Sequence, residues 1–514
     1  MAKRVYDSER ISTGVFGLDT ALNGGLFKNG IYIVSGRPGA GKTILANQLA
    51  FSHVQRGGRV VYATLLAETH ARLISQLRVM SFFDEKAIGK ALIYLNALEA
   101  VTEHGLTGLL ELVRRMVRDQ KASLLVLDGM VTAATLAASE QEYKRFISEL
   151  QVWVAVVGCT VLFLTSAGIG PDISPEHTMV DGIIELTNER VRMRNLRFLS
   201  VTKLRGSGFI EGLHFYRIGA NGLEVYPRME AQIEIDDVPP SSRRVPSGVP
   251  GLDAVLGGGF MADSTTLLLG SSGAGKTVSG LQFLADGARR GEKCLHFGFY
   301  EPPQAVIGKA ERLGFGFEKL IASGNLFVKW YRPAELFIDV VVDALLGIVR
   351  EKKVTRLFID GFVGFRSTHP AERIHTVFSA VTDALIREGV TTLITDETRE
   401  LFIREVEVPT ANVSAIFHNI VFMRQVEIDA ELVRLLSVMK TRDSGADRRL
   451  WQYEIGDNGL RLVAPFDSAQ GRLMTGGPTE LQPKRGTPVR TDERPKSKAR
   501  SKSKPTSKPR RKGR

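Results

Sequence analysis

The sequence predicts an α/β protein of two tandem domains, each with a mostly parallel sheet flanked by helices, followed by a basic tail. Four motifs recur along the chain at offsets of 232 to 237 residues. Within each copy, short apolar runs alternate with longer helical patterns, which is typical of parallel sheets covered on both faces. Because this period is far too long for a solenoid repeat, it indicates duplication of a whole domain.

The predicted domain boundaries follow changes in composition. The first domain spans residues 1–235, a linker spans 236–246, the second domain spans 247–470 and the tail spans 471–514. The linker carries paired prolines and paired serines, which mark an exposed connection. The tail has too few apolar residues to offset the entropy lost on ordering, so we expect it to be disordered.

The apolar runs and helical patterns predict the strands and helices around a glycine-rich loop that occurs in both domains. Strands are predicted at 31–34, 60–63, 124–127 and 160–164 in the first domain, and at 266–269 in the second. Helices are predicted at 44–56 and 278–290, each directly after a glycine-rich loop.

Each of these loops reads Gly-x-x-x-x-Gly-Lys-Thr. The glycines let the backbone wrap around phosphate oxygens, and the helix N-terminus that follows favours anions. The lysine reaches the β- and γ-phosphates. The predicted ATP-binding residues are Gly36, Gly39, Ala40, Gly41, Lys42 and Thr43 in the first domain, and Gly270, Gly273, Ala274, Gly275, Lys276 and Thr277 in the second. The sequence therefore predicts two P-loop NTPase sites.

An aspartate ends an apolar strand downstream of each loop, at Asp128 and Asp360. In P-loop NTPases this carboxylate and the hydroxyl of the loop hold Mg²⁺. We therefore expect Mg²⁺ near Thr43 and Asp128 in the first domain, and near Thr277 and Asp360 in the second. The alternative is an ordinary aspartate at a strand end, but the preceding loops favour the metal site.

Hydrolysis also needs a group that positions or deprotonates the attacking water. The candidates are Glu68 and Glu301, which follow the next strand after each P-loop at equivalent positions. The alternative for both is a glutamate that stabilises the first turn of a helix.

Together these motifs resemble the KaiC-like family of double-domain RecA-type ATPases, over residues 10–465. The resemblance also rests on a repeated Gly-Val-x-Gly-Leu-Asp opening and a late Lys-x-Arg motif in each copy. It implies two RecA-like P-loop domains and a homohexamer with ATP bound between subunits. By resemblance, Lys203, Arg205, Lys440 and Arg442 are catalytic residues that reach the neighbour's phosphates. A basic pair at a strand end is the alternative.

The chain departs from the family at two positions. The family has two adjacent glutamates at the catalytic position, the first assigned as base, whereas this chain has Ala67-Glu68 and Tyr300-Glu301. Autophosphorylating members modify an adjacent Ser-Thr pair, and an alignment without gaps places Ser414-Ala415 there. Ser414 is therefore either the phosphoacceptor of a serine/threonine autokinase or an unmodified loop serine.

Composition restricts location and partners. No run approaches the ~20 apolar residues that span a bilayer, and the two cysteines, Cys159 and Cys294, form no Cys-x-x-Cys pair. We expect a cytoplasmic protein without a membrane partner. The net charge is +12, and residues 484–514 hold 14 Lys/Arg against 2 Asp/Glu, so the tail carries the whole excess. The positive charge of the tail favours non-specific contact with nucleic acid or an acidic partner, or a role in solubility.

These features favour a nucleotide-dependent, hexameric signalling or regulatory ATPase with regulatory protein partners that the sequence does not identify. One alternative is a RecA-like ATPase that acts on DNA in recombination or repair. Since the body outside the tail is electrically balanced, it argues against a DNA-lined channel. A second alternative is a nucleotide-dependent scaffold that hydrolyses ATP poorly.

Overall fold

The computed structural model describes residues 10–67, 69–166, 175–191, 194–232, 241–332, 337–362, 371–398, 416–428, 431–442 and 445–466. Two predicted site residues, Glu68 and Ser414, lie outside these ranges. The predicted tail and residues 236–240 of the predicted linker lie outside them as well.

The first domain is built on one large sheet. Strands β1–β11 are Arg10–Ile11, Leu26–Phe27, Ile31–Gly36, Val60–Thr64, Leu92–Asn96, Leu124–Asp128, Thr160–Thr165, Gly182–Val191, Arg194–Leu204, His214–Gly219 and Gly222–Tyr226. Helices α1–α7 are Leu18–Ala21, Lys42–Gln55, His70–Leu77, Leu98–Gln120, Met130–Leu136, Glu140–Val157 and Pro175–Met179. Nine strands pair in the order β11-β10-β9-β8-β3-β7-β6-β4-β5. Strands β3 to β8 pair in parallel, and β9 to β11 extend the sheet antiparallel.

The second domain repeats this architecture. Strands β12–β22 are Arg244–Val245, Phe260–Met261, Thr265–Gly270, Cys294–Gly298, Leu326–Trp330, Arg356–Asp360, Thr391–Glu397, Asn419–Ile428, Glu431–Thr441, Trp451–Gly456 and Gly459–Pro465. Helices α8–α13 are Leu252–Val255, Lys276–Arg289, Pro303–Arg312, Phe317–Ala322, Ile338–Lys352 and Ala371–Arg387. The nine-stranded order, β16-β15-β17-β18-β14-β19-β20-β21-β22, matches that of the first domain strand for strand. The predicted fold class is confirmed.

Alternate residues of a strand point to opposite sides of the sheet. The central strands are buried on both faces because helices cover both sides. In β3, Tyr32 and Val34 pack in a core that includes α2, whereas Ile31 and Ile33 pack in a core that includes α4 and α6. This double coverage explains why these strands appear in the sequence as continuous apolar runs rather than alternating ones.

The predicted elements differ from the observed ones mainly at their ends. Helices α2 and α9 begin at Lys42 and Lys276, two residues before the predicted starts, because the last residues of each P-loop are already helical. At the end of the predicted linker, Arg244–Val245 pairs with Phe260–Met261. Within the described part of the chain, no helix combines the length and apolar character needed to cross a bilayer.

Aromatic stacking and a buried ion-pair cluster join the two domains. The rings of Phe215 and Phe337 stack with centroids 4.2 Å apart. Arg373 in the second domain binds Glu230 of the first at 2.7 Å and Asp339 of its own domain at 2.7 Å. Burial raises the pKa of Asp339, while Arg373 holds the pKa of Glu230 at about 2 despite its burial. Removing one member would leave a buried charge unpaired, so this cluster fixes the domains relative to one another.

Candidate active sites

Each phosphate loop connects the carboxyl end of a buried strand to the amino end of a helix. The first loop lies between β3 and α2, and the second between β14 and α9. Gly41 and Gly275, directly before the helices, have φ angles of 100° and 91°. A Cβ at either position would lie 2.6 or 2.5 Å from the isoleucine Cδ1 of Ile218 or Ile455. Both positions therefore require glycine, for conformation and for space.

A buried tyrosine on an antiparallel strand holds each loop from behind. The Tyr216 hydroxyl donates to the Ala40 carbonyl at 2.6 Å, and the Tyr453 hydroxyl donates to the Ala274 carbonyl at 2.5 Å. Sequence reasoning missed both tyrosines, although their recurrence 237 residues apart is a signal that could have found them. They are positioning residues because they fix the backbone that would surround the phosphates.

The P-loop lysines are turned back onto their own loops. Lys42 Nζ donates to the first two carbonyls of its loop at 2.7 and 3.3 Å, and Lys276 Nζ does the same at 2.9 and 2.8 Å. Burial lowers the pKa of both ammonium groups, opposed by Asp128 in the first domain and chiefly by Glu397 in the second. An anionic phosphate is a stronger partner for such a group than neutral carbonyls, so both loops fit a triphosphate.

In the first domain, the predicted metal ligands lie together. Thr43 Oγ1 donates to Asp128 Oδ2 at 3.3 Å. The hydroxyl of Tyr62, on the adjacent strand β4, donates to the same oxygen at 2.8 Å. Burial, and then the charge of Asp128, raise the pKa of Tyr62 well above its ordinary value, so it remains a donor. Sequence reasoning found the threonine and aspartate but missed the tyrosine.

The second domain brings together the equivalent pair with a different third residue. Thr277 Oγ1 donates to Asp360 at 3.0 Å. The hydroxyl of Thr395, on strand β18, donates to the same carboxylate at 2.7 Å. Burial raises the pKa of Asp360, opposed by the hydrogen bonds from Thr395 and Thr277. A cation beside Asp360 would offset the burial of its charge.

The donor sets suit Mg²⁺, a hard cation that takes few protein oxygens and completes its shell with water and substrate phosphates. Among the described residues, no group of three or more His, Cys, Asp or Glu could hold a metal by itself. The buried hydroxyl of Ser271, in the second P-loop, has no hydrogen-bond partner within the described residues. A phosphate oxygen would satisfy it, since buried polar groups are normally hydrogen-bonded.

A cavity of about 660 Å³ surrounds the second P-loop, within the size range of small-molecule sites. It is lined by Ser272, Gly273, Gly275, Lys276, Thr277, Val278, Tyr300, Glu301, Lys309, Asp360, Gly361, Thr395, Asp396, Glu397 and Ile455. The predicted lysine, threonine, aspartate and glutamate of this domain therefore share one cavity. It also contains charged residues that the sequence motifs did not indicate, namely Lys309, Asp396 and Glu397.

The predicted catalytic glutamate of the second domain is in an ion pair. Glu301 Oε1 lies 2.6 Å from the ammonium of Lys309, one side chain before helix α10 and the other within it. Glu301 is 39% exposed, and its neighbour Tyr300 is also exposed. Its first-domain counterpart, Glu68, lies outside the described residues, so only Glu301 can be placed relative to its site.

The Lys-x-Arg motifs lie at the opposite end of each sheet from the P-loop. Lys203 on β9 pairs with Ile183 on β8, which in turn pairs with Ile33 on β3. The Arg205 amide donates to the carbonyl of Asp181, one residue before β8 begins. The arginine is therefore level with the amino end of β3, whereas the P-loop follows its carboxyl end.

Local contacts hold the first motif in place. Lys203 Nζ donates to the carbonyls of His177 and Thr178 at 2.9 and 3.1 Å, and Arg205 donates to Thr178 at 3.0 Å. Burial lowers the pKa of Lys203, and the adjacent Arg205 lowers it further. In the second domain, burial and Arg442 lower the pKa of Lys440 in the same way. A further anion would stabilise each cationic pair.

The comparisons with known proteins agree with this geometry. The model of the KaiC ATPase family matches residues 11–230 and 245–466, one copy for each domain. The chain belongs to the KaiC ATPase family. The matches cover both P-loops, both strand-terminal aspartates and both Lys-x-Arg motifs.

Curated KaiC relatives span nearly the whole chain. The circadian clock oscillator protein KaiC of Picosynechococcus sp. is 25% identical over 485 residues, which cover 92% of this chain and 93% of the relative. The corresponding protein of Prochlorococcus marinus is 23% identical and covers 92% and 96%. The circadian clock protein KaiC3 of Synechocystis sp. is 24% identical and covers 91% and 94%. The resemblance inferred from the sequence is confirmed.

Proposed function

We propose that this KaiC-family ATPase binds ATP and Mg²⁺ at both P-loops and assembles into a homohexamer that completes each site across a subunit boundary. Hydrolysis would then set the conformation that regulatory protein partners recognise. The observation that carries the proposal is the position of the two Lys-x-Arg motifs, which are far from the P-loop of their own domain.

The strand registers give the separation. Arg205 is level with Ile31, five residues before Gly36, so it lies about 17 Å along the strand from the start of its own P-loop. The second domain repeats this arrangement, because the Arg442 amide binds the carbonyl of His418 and the His418 amide binds the carbonyl of Thr265. An arginine side chain is too short to span such a distance, so neither motif acts on its own site.

The chemistry explains why a partner's arginine is useful. Phosphoryl transfer spreads negative charge over the γ-phosphate oxygens, and a guanidinium supplied from outside stabilises that charge. When the cation comes from another subunit, hydrolysis depends on assembly. The repetition of the motif in both domains supports two such boundaries, one in each of two stacked rings.

Sedimentation of the full chain with ATP and Mg²⁺, against nucleotide-free protein, tests the assembly. We expect a hexamer with nucleotide and smaller species without it, because ATP joins the two faces of each boundary. A chain that sediments as a monomer under both conditions would contradict the proposal.

A mixing experiment tests the role of the arginine across the boundary. Subunits with Lys42→Ala and Lys276→Ala bind no ATP but keep both Lys-x-Arg motifs, whereas subunits with Arg205→Ala and Arg442→Ala keep both P-loops. Each population alone should be nearly inactive, and the mixture should regain hydrolysis at the mixed boundaries. If the mixture stays as inactive as its components, the motifs do not act in trans.

The proposal extends to autokinase activity in the second domain, by way of the retained Ser414. It is supported by the alignment of strands β19 and β20 with the family pattern, which leaves one of the two usual acceptors in place. Mass spectrometry after incubation with ATP and Mg²⁺ should find phosphate on Ser414, and Ser414→Ala should abolish it. An unmodified Ser414 would restrict the activity to hydrolysis.

A steady-state assay with and without single-stranded DNA separates this function from the two alternatives. Slow hydrolysis independent of DNA fits a regulatory ATPase. Stimulation by DNA would favour a DNA-acting motor, and ATP binding without turnover would favour a scaffold. The same assay on a chain that ends at residue 470 tests whether the basic tail contributes to any effect of DNA on turnover.

A further inference from the structure

Two consecutive carboxylates end the strand beside the second P-loop. Asp396 and Glu397 are the last residues of β18, which pairs with the P-loop strand so that Glu397 is opposite Gly270. The matching register in the first domain pairs Thr165 with Ser35, so that Ser166 follows at the position equivalent to Glu397. The second domain therefore carries acidic groups where the first carries hydroxyls.

Glu397 lies beside the lysine that would contact the γ-phosphate. Its Oε1 lies 3.8 Å from Lys276 Nζ, and its side chain lines the cavity around the P-loop. The P-loop lysine contacts the β- and γ-phosphates of bound ATP. Lys276 would contact the γ-phosphate, and the Glu397 carboxylate lies 3.8 Å from Lys276. A water beside the γ-phosphate would therefore be within reach of that carboxylate.

The other carboxylates in this cavity are engaged in ways that make them poorer bases. Asp360 accepts from Thr277 and Thr395 and belongs to the predicted metal site. Glu301 is held at 2.6 Å by the ammonium of Lys309. Asp396 is buried and accepts the backbone N–H of Glu397. Glu397, by contrast, is 58% exposed and touches Lys276 only at 3.8 Å.

We propose that Glu397 is the catalytic carboxylate of the second site, the group that deprotonates the water attacking the γ-phosphate; this rests on the proposed ATP hydrolysis. The water oxygen forms a bond to the γ-phosphorus as the bond from that phosphorus to the β,γ-bridging oxygen breaks. The water proton passes to the Glu397 carboxylate and then to solvent. ADP leaves with the bridging oxygen, and phosphate leaves with the new one.

The same carboxylate opposes ATP binding. The Glu397 carboxylate lies beside Lys276, and the approach of a γ-phosphate to this second anion disfavours the triphosphate. ADP lacks the γ-phosphate and does not meet this repulsion. Removing the charge should therefore tighten ATP binding and leave ADP binding unchanged, an effect that a purely structural glutamate would not produce.

The test uses the full chain with Lys42→Ala, which silences the first P-loop, as the parent for three variants. Glu397→Gln keeps the shape but cannot accept the proton, Glu301→Gln tests the competing glutamate, and Glu454→Gln removes an exposed carboxylate of the same domain outside the cavity. Phosphate release, ATP affinity and ADP affinity are measured for each, with sedimentation to confirm equal assembly.

We expect Glu397→Gln to lower phosphate release by roughly 10²–10⁴-fold, to bind ATP several-fold more tightly and to leave ADP affinity within twofold. Glu454→Gln should match the parent. Release that is unchanged by Glu397→Gln but abolished by Glu301→Gln would overturn the assignment while leaving the proposed function intact. A parent that binds ATP but releases no phosphate would overturn hydrolysis at the second site, and the assignment with it.

Discussion

The two P-loop sites of this chain share a backbone arrangement, but their predicted metal-binding aspartates are held from opposite sides. In the first domain, Tyr62 reaches Asp128 from β4, on the side of the aspartate strand away from the P-loop strand. In the second, Thr395 reaches Asp360 from β18, which lies between the aspartate strand and the P-loop strand. The same ligand geometry is thus supported by two unrelated hydrogen bonds.

Each domain has an apolar or different residue at the position from which the other domain supports its aspartate. The position of Thr395 is occupied by Leu164 in the first domain, and the position of Tyr62 is occupied by His296 in the second. The second domain therefore places its supporting hydroxyl on the strand next to the P-loop strand, where Glu397 also lies. The phosphate-binding motif is the same in both copies, whereas the charged residues around it differ. We therefore expect the two sites to bind ATP through the same contacts but to hydrolyse it at different rates.

The largest expected effect is the loss of one site at a time. Lys42→Ala and Lys276→Ala each remove the ammonium that contacts the phosphates of one P-loop, so each variant should bind half as much nucleotide as the native chain. Equilibrium titration with labelled ATP measures the stoichiometry. Loss of both sites from one substitution, in protein that still sediments as the native assembly does, would show that the domains are not independent.

Removing the two different supports of the aspartates should have domain-specific effects. Tyr62→Phe deletes a hydrogen bond to Asp128, and Thr395→Val deletes one to Asp360. Groups that orient a metal ligand typically affect metal affinity or activity by about 10–100-fold. Mg²⁺ titration of ATP hydrolysis, with the other P-loop silenced, should show the loss only in the domain that carries the substitution.

Two conservative changes serve as controls for that experiment. Tyr94→Phe removes a hydroxyl that binds Asn47 rather than the aspartate, so it should leave the Mg²⁺ requirement of the first site unchanged. Thr395→Ser retains the hydroxyl and should behave as native. Equal losses in Tyr62→Phe and Tyr94→Phe would indicate damage to the shared core rather than to the metal site.

The sequence was sufficient for the fold and for the residues that obey a motif. Continuous apolar strands such as Ile31–Gly36 are buried on both faces, and the P-loop needs glycines and a lysine in a fixed order, so composition and spacing reveal both. The aspartates could be predicted because each ends a strand downstream of its loop. Family membership followed from the repetition of these features.

The sequence was not sufficient for residues brought to the site by strand register. Tyr62 and Thr395 are single polar residues within apolar strands, and only the order of the strands in the sheet shows that they face an aspartate. The role of Lys309 depends on a helix that turns it back toward Glu301. Asp396 and Glu397 are visible in the sequence as two carboxylates at the end of an apolar run. The sequence does not show, however, that this run pairs with the P-loop strand.

The histidine that replaces Tyr62 should make the second domain sensitive to acid. His296 is fully buried, and burial lowers its pKa to about 4, with Glu301 opposing and Lys309 adding to that shift. Its ordinary pKa is about 6.5, so the unfolded chain takes up a proton that the folded domain does not. Stability is therefore full above pH 6.5 and falls as the pH drops toward 4, by about 2 kcal/mol between pH 7 and pH 5.

Urea denaturation with Trp153→Phe as the parent measures this effect, because the two remaining tryptophans, Trp330 and Trp451, both lie in the second domain. His296→Phe keeps an aromatic ring against Phe358 but cannot be protonated. The difference in unfolding free energy between pH 7 and pH 5 should shrink by about 2 kcal/mol in that variant. An unchanged difference would assign the acid sensitivity to other groups.

The smallest expected effect concerns Lys309, which has Gln76 as its counterpart because α3 and α10 begin 233 residues apart. Lys309→Gln makes the second domain resemble the first and leaves Glu301 without its cation. Since both side chains of the pair are partly exposed, the unfolding free energy should change by less than about 1 kcal/mol. The released carboxylate lines the same cavity as the P-loop, so it should weaken ATP binding by a few-fold, and high salt should reduce that loss by screening. Binding titrations at low and high ionic strength measure both effects.

The reverse exchange, Gln76→Lys, is the matched control and should not weaken ATP binding at the first site. A loss of more than tenfold for Lys309→Gln that salt does not reduce would mean that Lys309 contacts the nucleotide itself, and the two domains would then differ in a binding residue as well as in their catalytic carboxylates.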